Sequence, residues 1–226
     1  MSAPSKKSPS RQRRDDEKEQ RREALIDAAE AVFAASGFEA AKMEDVARQA
    51  RVSRALVYLY FRTRDELLMA ICERALRLLR ERFSTAAAGH RRGIEQIGAI
   101  GRSYIDFADE FPLYFMALSR FEAHAPDAAN TVAAERAVLD AGAAVHEVTV
   151  MALQQGMRDG SIRRSPQPML VAMTLWGFIH GTIQIAQTKR PFIEEAGVTR
   201  EALLRNAIDH GLRGLAPAPR TRSAKR

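Results

Sequence analysis

At 226 residues the chain is long enough for one large or two modest domains with a real core, which excludes a mini-protein held together by staples. Its 35 Lys and Arg against 28 Asp and Glu leave a net charge of +7, which favours polyanionic partners and leaves the fold open. A single cysteine, Cys72, excludes an intramolecular disulfide framework; with a polar, basic N-terminus that has no apolar run, it gives the expectation of a cytoplasmic protein.

Residues 1–21 are rich in Ser, Lys and Arg and too poor in apolar groups to pack, so the expectation is a disordered basic tail. From there on, apolar residues recur with a helical period and never alternate over a strand's length, which predicts an all-α fold. A first helix is expected over Arg22 to Ser36, burying Leu25, Ala29, Val32 and Phe33. Gly37 stops it, and Phe38 is placed to pack back against Phe33.

A short helix over Met43 to Ala50 follows, then another over Ser53 to Phe61. The pair reads as a helix-turn-helix, whose second helix enters the major groove of DNA. Ser53 is the expected N-cap, because its hydroxyl can accept from orphan backbone amides. Arg54, one residue on, is placed to meet guanine O6 and N7, and Ala55 is small enough for close approach or a thymine methyl contact. Leu56 can offer an apolar contact in the groove, Val57 faces the domain core, and Tyr58 reaches sugar or phosphate. Lys42 and the free amides around Arg64 are candidate phosphate contacts. Taken singly, each of these is as well explained by a solvated rim or a half-buried core tyrosine; the ordered set is what points to DNA. Thr63 and Glu66 form a capping-box pattern that opens a fourth helix running past Leu79, long enough to connect two domains.

Beyond Phe83, five further helices are expected, over Ile94 to Ala108, Leu113 to Glu122, Asp127 to Asp159, Pro168 to Gln187 and Arg200 to Leu212. The stretch from Ser165 to Thr188 has no charged residue and is long enough to span a bilayer. Thr174, His180, Gln184 and Gln187 interrupt it, so the expectation is no membrane span but a helix covered partly by a partner subunit, with Gly177 and Gly181 allowing close approach. Aromatic and sulfur-bearing side chains in this half, Tyr104, Phe107, Phe111, Tyr114, Phe115, Phe121, Met151 and Trp176, with His180, are candidate lining for an apolar ligand cavity, ordinary core packing being the competing explanation. His124 and His146 are further polar anchors to consider. Residues 216–226 form a second basic tail.

No phosphate loop, HExxH or serine elbow occurs, the five histidines lack metal-ligand spacing, and Cys72 lies on an apolar helical face. Neither enzyme chemistry, a metal nor a cofactor is expected.

The order Ile26-Asp27-Ala28-Ala29, Phe33, Gly37-Phe38, Met43-Glu44-Asp45-Val46-Ala47, Val52-Ser53-Arg54, Val57-Tyr58 and Tyr60-Phe61 resembles the DNA-binding domain of TetR/AcrR-family regulators. Gly156 to Ile162 (GMRDGSI) and Trp176-Gly177 to Gly181 resemble the ligand-binding half of the same family. The resemblance implies a three-helix DNA-binding domain over 22–66 and a helical effector-binding and dimerisation domain over 67–215. It further implies a homodimer that binds double-stranded operator DNA and leaves it on binding a small, hydrophobic or aromatic inducer. Family DNA contacts carry onto Lys42, Ser53, Arg54, Ala55, Tyr58, Tyr60 and Arg64. The sequence departs from the family pattern at Arg51, where glycine is usual, at Ala41-Lys42, where a hydroxyl caps the helix, at Leu56, where a small or hydroxyl residue is frequent, and at Arg64, usually lysine. A transcriptional activator of the same family, a nonspecific DNA-binding protein and a helical enzyme stand as alternatives.

Overall fold

A computed structural model describes residues 9–123 and 133–217, and among them there are ten helices and no strand. Residues 1–8 of the tail expected over 1–21, residues 218–226 of the tail expected over 216–226, His124, and the expected helix start at Asp127 lie outside the described residues. The chain divides into two compact units, one of Met1–Cys72 and Met116–Glu135, the other of Glu73–Phe115 and Arg136–Arg226.

In the first unit, α1 (Pro9–Ala40) begins well ahead of the expected start at Arg22. Residues 10–21 are exposed throughout, so no packing marks them as helical. Once Leu25, Ile26 and Ala29 have been buried and the nucleus exists, each upstream residue joins at propagation cost alone. Spaced ion pairs help, Arg13 Nε to Glu17 at 3.1 Å and Arg22 Nη1 to Glu19 at 3.6 Å. Gly37 interrupts α1 with φ of 75°, as its left-handed position requires, and the Phe33 and Phe38 rings meet edge to face at 5.3 Å.

Helices α2 (Met43–Gln49) and α3 (Arg54–Tyr60) follow, each a two-turn element that survives by packing, α2 on α1 and α3 on α2. Arg51 sits in the turn between them at φ of 56°, the left-handed conformation that glycine would take without strain. Helix α4 (Arg64–Ala88) starts on the expected cap: Glu66 N–H donates to Thr63 Oγ1 at 3.1 Å. The reciprocal bond goes one residue further back than a capping box would place it, from Arg62 N–H to Glu66 Oε2 at 2.6 Å.

The second unit takes the rest of α4, then α5 (Gly93–Glu110), α6 (Pro112–Glu122, shared with the first unit from Met116), α7 (Ala133–Asp159, shared with the first unit up to Glu135), α8 (Pro168–Thr188), α9 (Arg190–Glu195) and α10 (Arg200–Leu215). Helix α10 packs on α8 and α5, capped by Thr199, whose Oγ1 accepts from Ala202 N–H at 3.1 Å. Helix α9, a six-residue turn with proline in its opening positions, is an element the apolar period did not reveal. The segment GMRDGSI works as a corner. A Cβ on Gly93 would lie 2.0 Å from Gly156 N, so α5 meets the backbone of α7 only because Gly93 is bare. Asp159 then caps α5 across the chain, Oδ2 accepting from Gly93 N–H at 2.8 Å and Oδ1 from Ser161 N–H at 2.8 Å, while Ser161 Oγ accepts from Ile94 N–H at 3.1 Å.

Helix α8 is long and apolar enough to cross a membrane by length and composition, with a best-window mean hydropathy of 1.4. It buries Ala172, His180, Ile183 and Ala186 and leaves Leu170, Met173, Phe178 and Ile185 exposed.

Candidate functional site

In the first unit, α3 packs on α2. Ser53 Oγ accepts from Leu56 N–H at 3.2 Å, fixing the helix start, and Val57 is wholly buried, fixing its rotation about its axis. With Val57 pointing inward, Arg54, Ala55 and Tyr58 face solvent, while Leu56 and Tyr60 are half-buried. Leu59, 77% exposed, is the most exposed large apolar residue on the helix and is not among the contacts expected from the sequence. The signal was there: it lies one turn beyond Ala55, on the same face.

Arg54 is not idle in this state. Its Nη2 pairs with Glu44 Oε1 of α2, with both side chains partly exposed. Lys42 is exposed and precedes α2 in the N-cap position. Having no acceptor, its side chain cannot cap; instead its backbone N–H donates to Asp45 Oδ2 at 3.3 Å, so the ammonium remains in solvent.

Arg64 is held differently from the others. Its Nη1 donates to Phe38 O at 3.0 Å, Glu39 O at 2.8 Å and Ala41 O at 3.2 Å, and the guanidinium lies 5.0 Å from the centroid of the Phe38 ring. It thus satisfies the carbonyls left over where α1 ends and ties the start of α4 to them. Arg120 of α6 covers the same ring at 4.1 Å and pairs with Glu39 at 2.6 Å.

In the second unit, seven of the nine candidate ligand residues join in one run of rings. Tyr104 and His180 are at its centre, Oη to Nδ1 2.7 Å, a buried hydrogen bond. Phe115 stacks on His180 at 4.9 Å, Trp176 lies 5.9 Å from it, and Tyr104, Phe107, Phe111 and Tyr114 continue the series at 5.6–6.4 Å. His146 meets Trp176 edge-on at 5.4 Å. Burial pushes both His180 and His146 below the usual histidine range, so both are neutral at pH 7. The other two candidates stand apart: Met151 is 58% exposed, and Phe121 belongs to the first unit. An open groove of about 610 Å³, lined by Leu78, Glu81, Arg82, Ala99, Arg102 and Asp106 among others, has none of the nine in its walls. Burial pushes the Cys72 thiol up to about 12, which leaves no thiolate to act as a nucleophile. Among the described residues no cluster of three or more His, Cys, Asp or Glu is arranged to hold a metal.

Two family profiles match the chain. "Bacterial regulatory proteins, tetR family" covers residues 25–71, and "Tetracyclin repressor-like, C-terminal domain" covers residues 97–210, which is half of the chain by itself. The chain belongs to the TetR family. A TetR-family protein is a transcriptional regulator with a DNA-binding and a ligand-binding domain, and not an enzyme; α1 from Leu25 onward, α2, α3 and the start of α4 fall in the first match, and the ring cluster falls in the second. The uncharacterized HTH-type transcriptional regulator YfiR of Bacillus subtilis (strain 168) is 39% identical over 59 residues, spanning 26% of this chain and only 29% of that protein's length. Two solved structures share the fold at low identity. A protein of unknown function from Rhodococcus sp. RHA1 superposes with a TM-score of 0.70 at 23% identity, covering 87% of this chain and 95% of that one. The regulator FadR from Bacillus subtilis, solved in complex with stearoyl-CoA, gives 0.65 at 16% identity, covering 85% and 98%.

Proposed function

We propose that this TetR-family chain is a cytoplasmic, homodimeric transcriptional repressor that binds a palindromic operator and is released by a small hydrophobic or aromatic inducer. One observation carries the reading: α3 is capped by Ser53, rotated by the buried Val57, and presents Arg54, Ala55 and Tyr58 outward in the order a major-groove helix needs. Arg54 and Ala55 are the base readers. Lys42, Tyr58 and Tyr60 set position on the backbone, with Leu56 at the groove wall, and Arg64 contributes by holding the α4 start whose free amides face phosphate.

The dimer forms through α8 and α10. Leu170, Met173, Phe178 and Ile185 form a bare apolar face on α8, and Gly177 and Gly181 have nothing within 4 Å of a built Cβ, leaving room for a second helix. The inducer inserts among the rings around the Tyr104–His180 pair, and the fatty-acyl ligand of FadR supports an apolar guest for this fold. DNA selects the dimer whose two α3 helices are about 34–36 Å apart, one duplex turn, and inducer selects another population in which α4 has swung.

Selecting duplexes from a random pool with the wild-type chain yields the operator and its symmetry. Against that operator, Arg54→Ala is expected to weaken binding about 5- to 150-fold in a gel-shift titration, the equivalent of losing one bidentate base contact. An unchanged affinity removes Arg54 from the base-reading set.

A further inference from the structure

The exposed first three turns of α1 lie outside the helix-turn-helix, and their charges are sorted. At about 100° per residue, Arg11, Arg14, Lys18 and Arg21 fall within about 80° of arc. Asp16, Glu19 and Glu23 fall on the far side of the helix, Asp27 and Glu30 continue that acidic side, and Asp15 and Glu17 border the stripe on its two edges. Between residues 9 and 23 there are six basic and five acidic side chains, so the net charge alone hides the stripe.

Pairing sharpens the division. Arg13, off the stripe, is held by Glu17, and Arg22, at its edge, by Glu19 and Glu23. The four stripe cations are exposed and make no ion pair among the described residues. The helix also fixes where the stripe points. Leu25 and Ala29 continue the same azimuth along α1 and are buried. The cations therefore extend, beyond the core, a buried side of α1.

We propose that this arm is a second DNA-binding element, a rigid helical rod whose basic face follows the phosphates of duplex flanking the operator. From Arg11 to Arg21 it spans about 15 Å, the rise of about four to five base pairs along one strand. A folded rod presents its cations without paying the ordering cost of a coil, and the acidic face opposite keeps it from lying flat on nucleic acid in other orientations. It adds affinity and no sequence information, because phosphates are all it meets.

This inference rests on the DNA-binding reading above, and one experiment separates the two. The full-length chain is titrated with operator and with random duplex of equal length, each over a range of salt. The comparison uses three proteins: wild type, R11Q/R14Q/K18Q/R21Q, and a charge-matched control, R13Q/R77Q/R164Q/R190Q. Circular dichroism establishes that helix content is retained, glutamine being a good helix former. The arm variant is expected to lose up to about 3.6 from the slope of log affinity against log salt, about 0.9 per phosphate contact, with operator and random duplex weakened alike. The control is expected to stay within about one of wild type. An unchanged slope in the arm variant, or an equal loss in the control, overturns the arm. Absence of any preference for operator in the wild type overturns the repressor reading instead, and leaves the arm to be judged by its slope.

Discussion

Arg64 is the residue whose chemistry is least like its sequence context. A basic side chain at the head of a helix beside a recognition element reads as a phosphate contact, but here one guanidinium nitrogen is spent on three carbonyls from a segment more than twenty residues away. Hydrogen bonds from a charged donor are worth roughly twice neutral ones, and leaving the carbonyls bare costs more still. Arg64→Ala is therefore expected to destabilise the protein by about 1–3 kcal/mol in urea unfolding while changing the salt slope of DNA binding by less than one. A larger slope change with unaltered stability identifies a phosphate contact instead. The partner of Arg64 was invisible in sequence because nothing local encodes a contact over that separation. Ser53 and Thr63, by contrast, cap through amides three residues ahead, and that spacing is legible directly. The left-handed Arg51 was signalled only through the family resemblance, which has glycine at that place in the turn.

At the scale of elements, apolar periodicity marks the faces that pack, and it located the helices that do. It was silent on the first turns of α1, where there is no buried face, and on α9, which has only Ile193 fully buried. It was silent too on how α5 begins. Asp159 reaches that helix start from 66 residues away, and its carboxyl is held below the usual aspartate range by the Ser161 hydroxyl first and by the Gly93 and Ser161 amides. The sign follows from that depression. The carboxylate's contribution to stability is complete above the ordinary aspartate range and is lost as pH falls through the lowered folded-state value. Asp159→Asn is expected to lower the melting temperature at pH 7 and to converge on wild type in strongly acidic buffer. A gap that persists unchanged to low pH means the amide caps α5 as well as the carboxylate does, and ionisation is irrelevant there.

For the whole molecule, the outstanding quantity is the apolar face that α8 leaves in water. Large exposed side chains on one side of the helix, with two glycines among them, are costly for a monomer and suit a close helix-helix contact. Phe178→Glu places a charge in the middle of that stripe. It is expected to shift sedimentation equilibrium from dimer to monomer, and to abolish operator binding with the helix content intact, since one α3 alone cannot read two half-sites. A dimer that persists moves the interface elsewhere. The composition of α8 was plain in the sequence, but which side is bare depends on where α10 and α5 lie, and no single segment records that.

The lone thiol at Cys72 gives the molecule a practical property. It is wholly buried and stays protonated far above neutral pH, so maleimide and methanethiosulfonate reagents find no native target on the surface. A cysteine introduced at a solvent-facing position of α4 becomes the sole labelling site in each protomer. A spin label there, paired with its symmetry mate, turns the proposed swing of α4 into a distance distribution read by electron resonance, in the native background and with no residue removed.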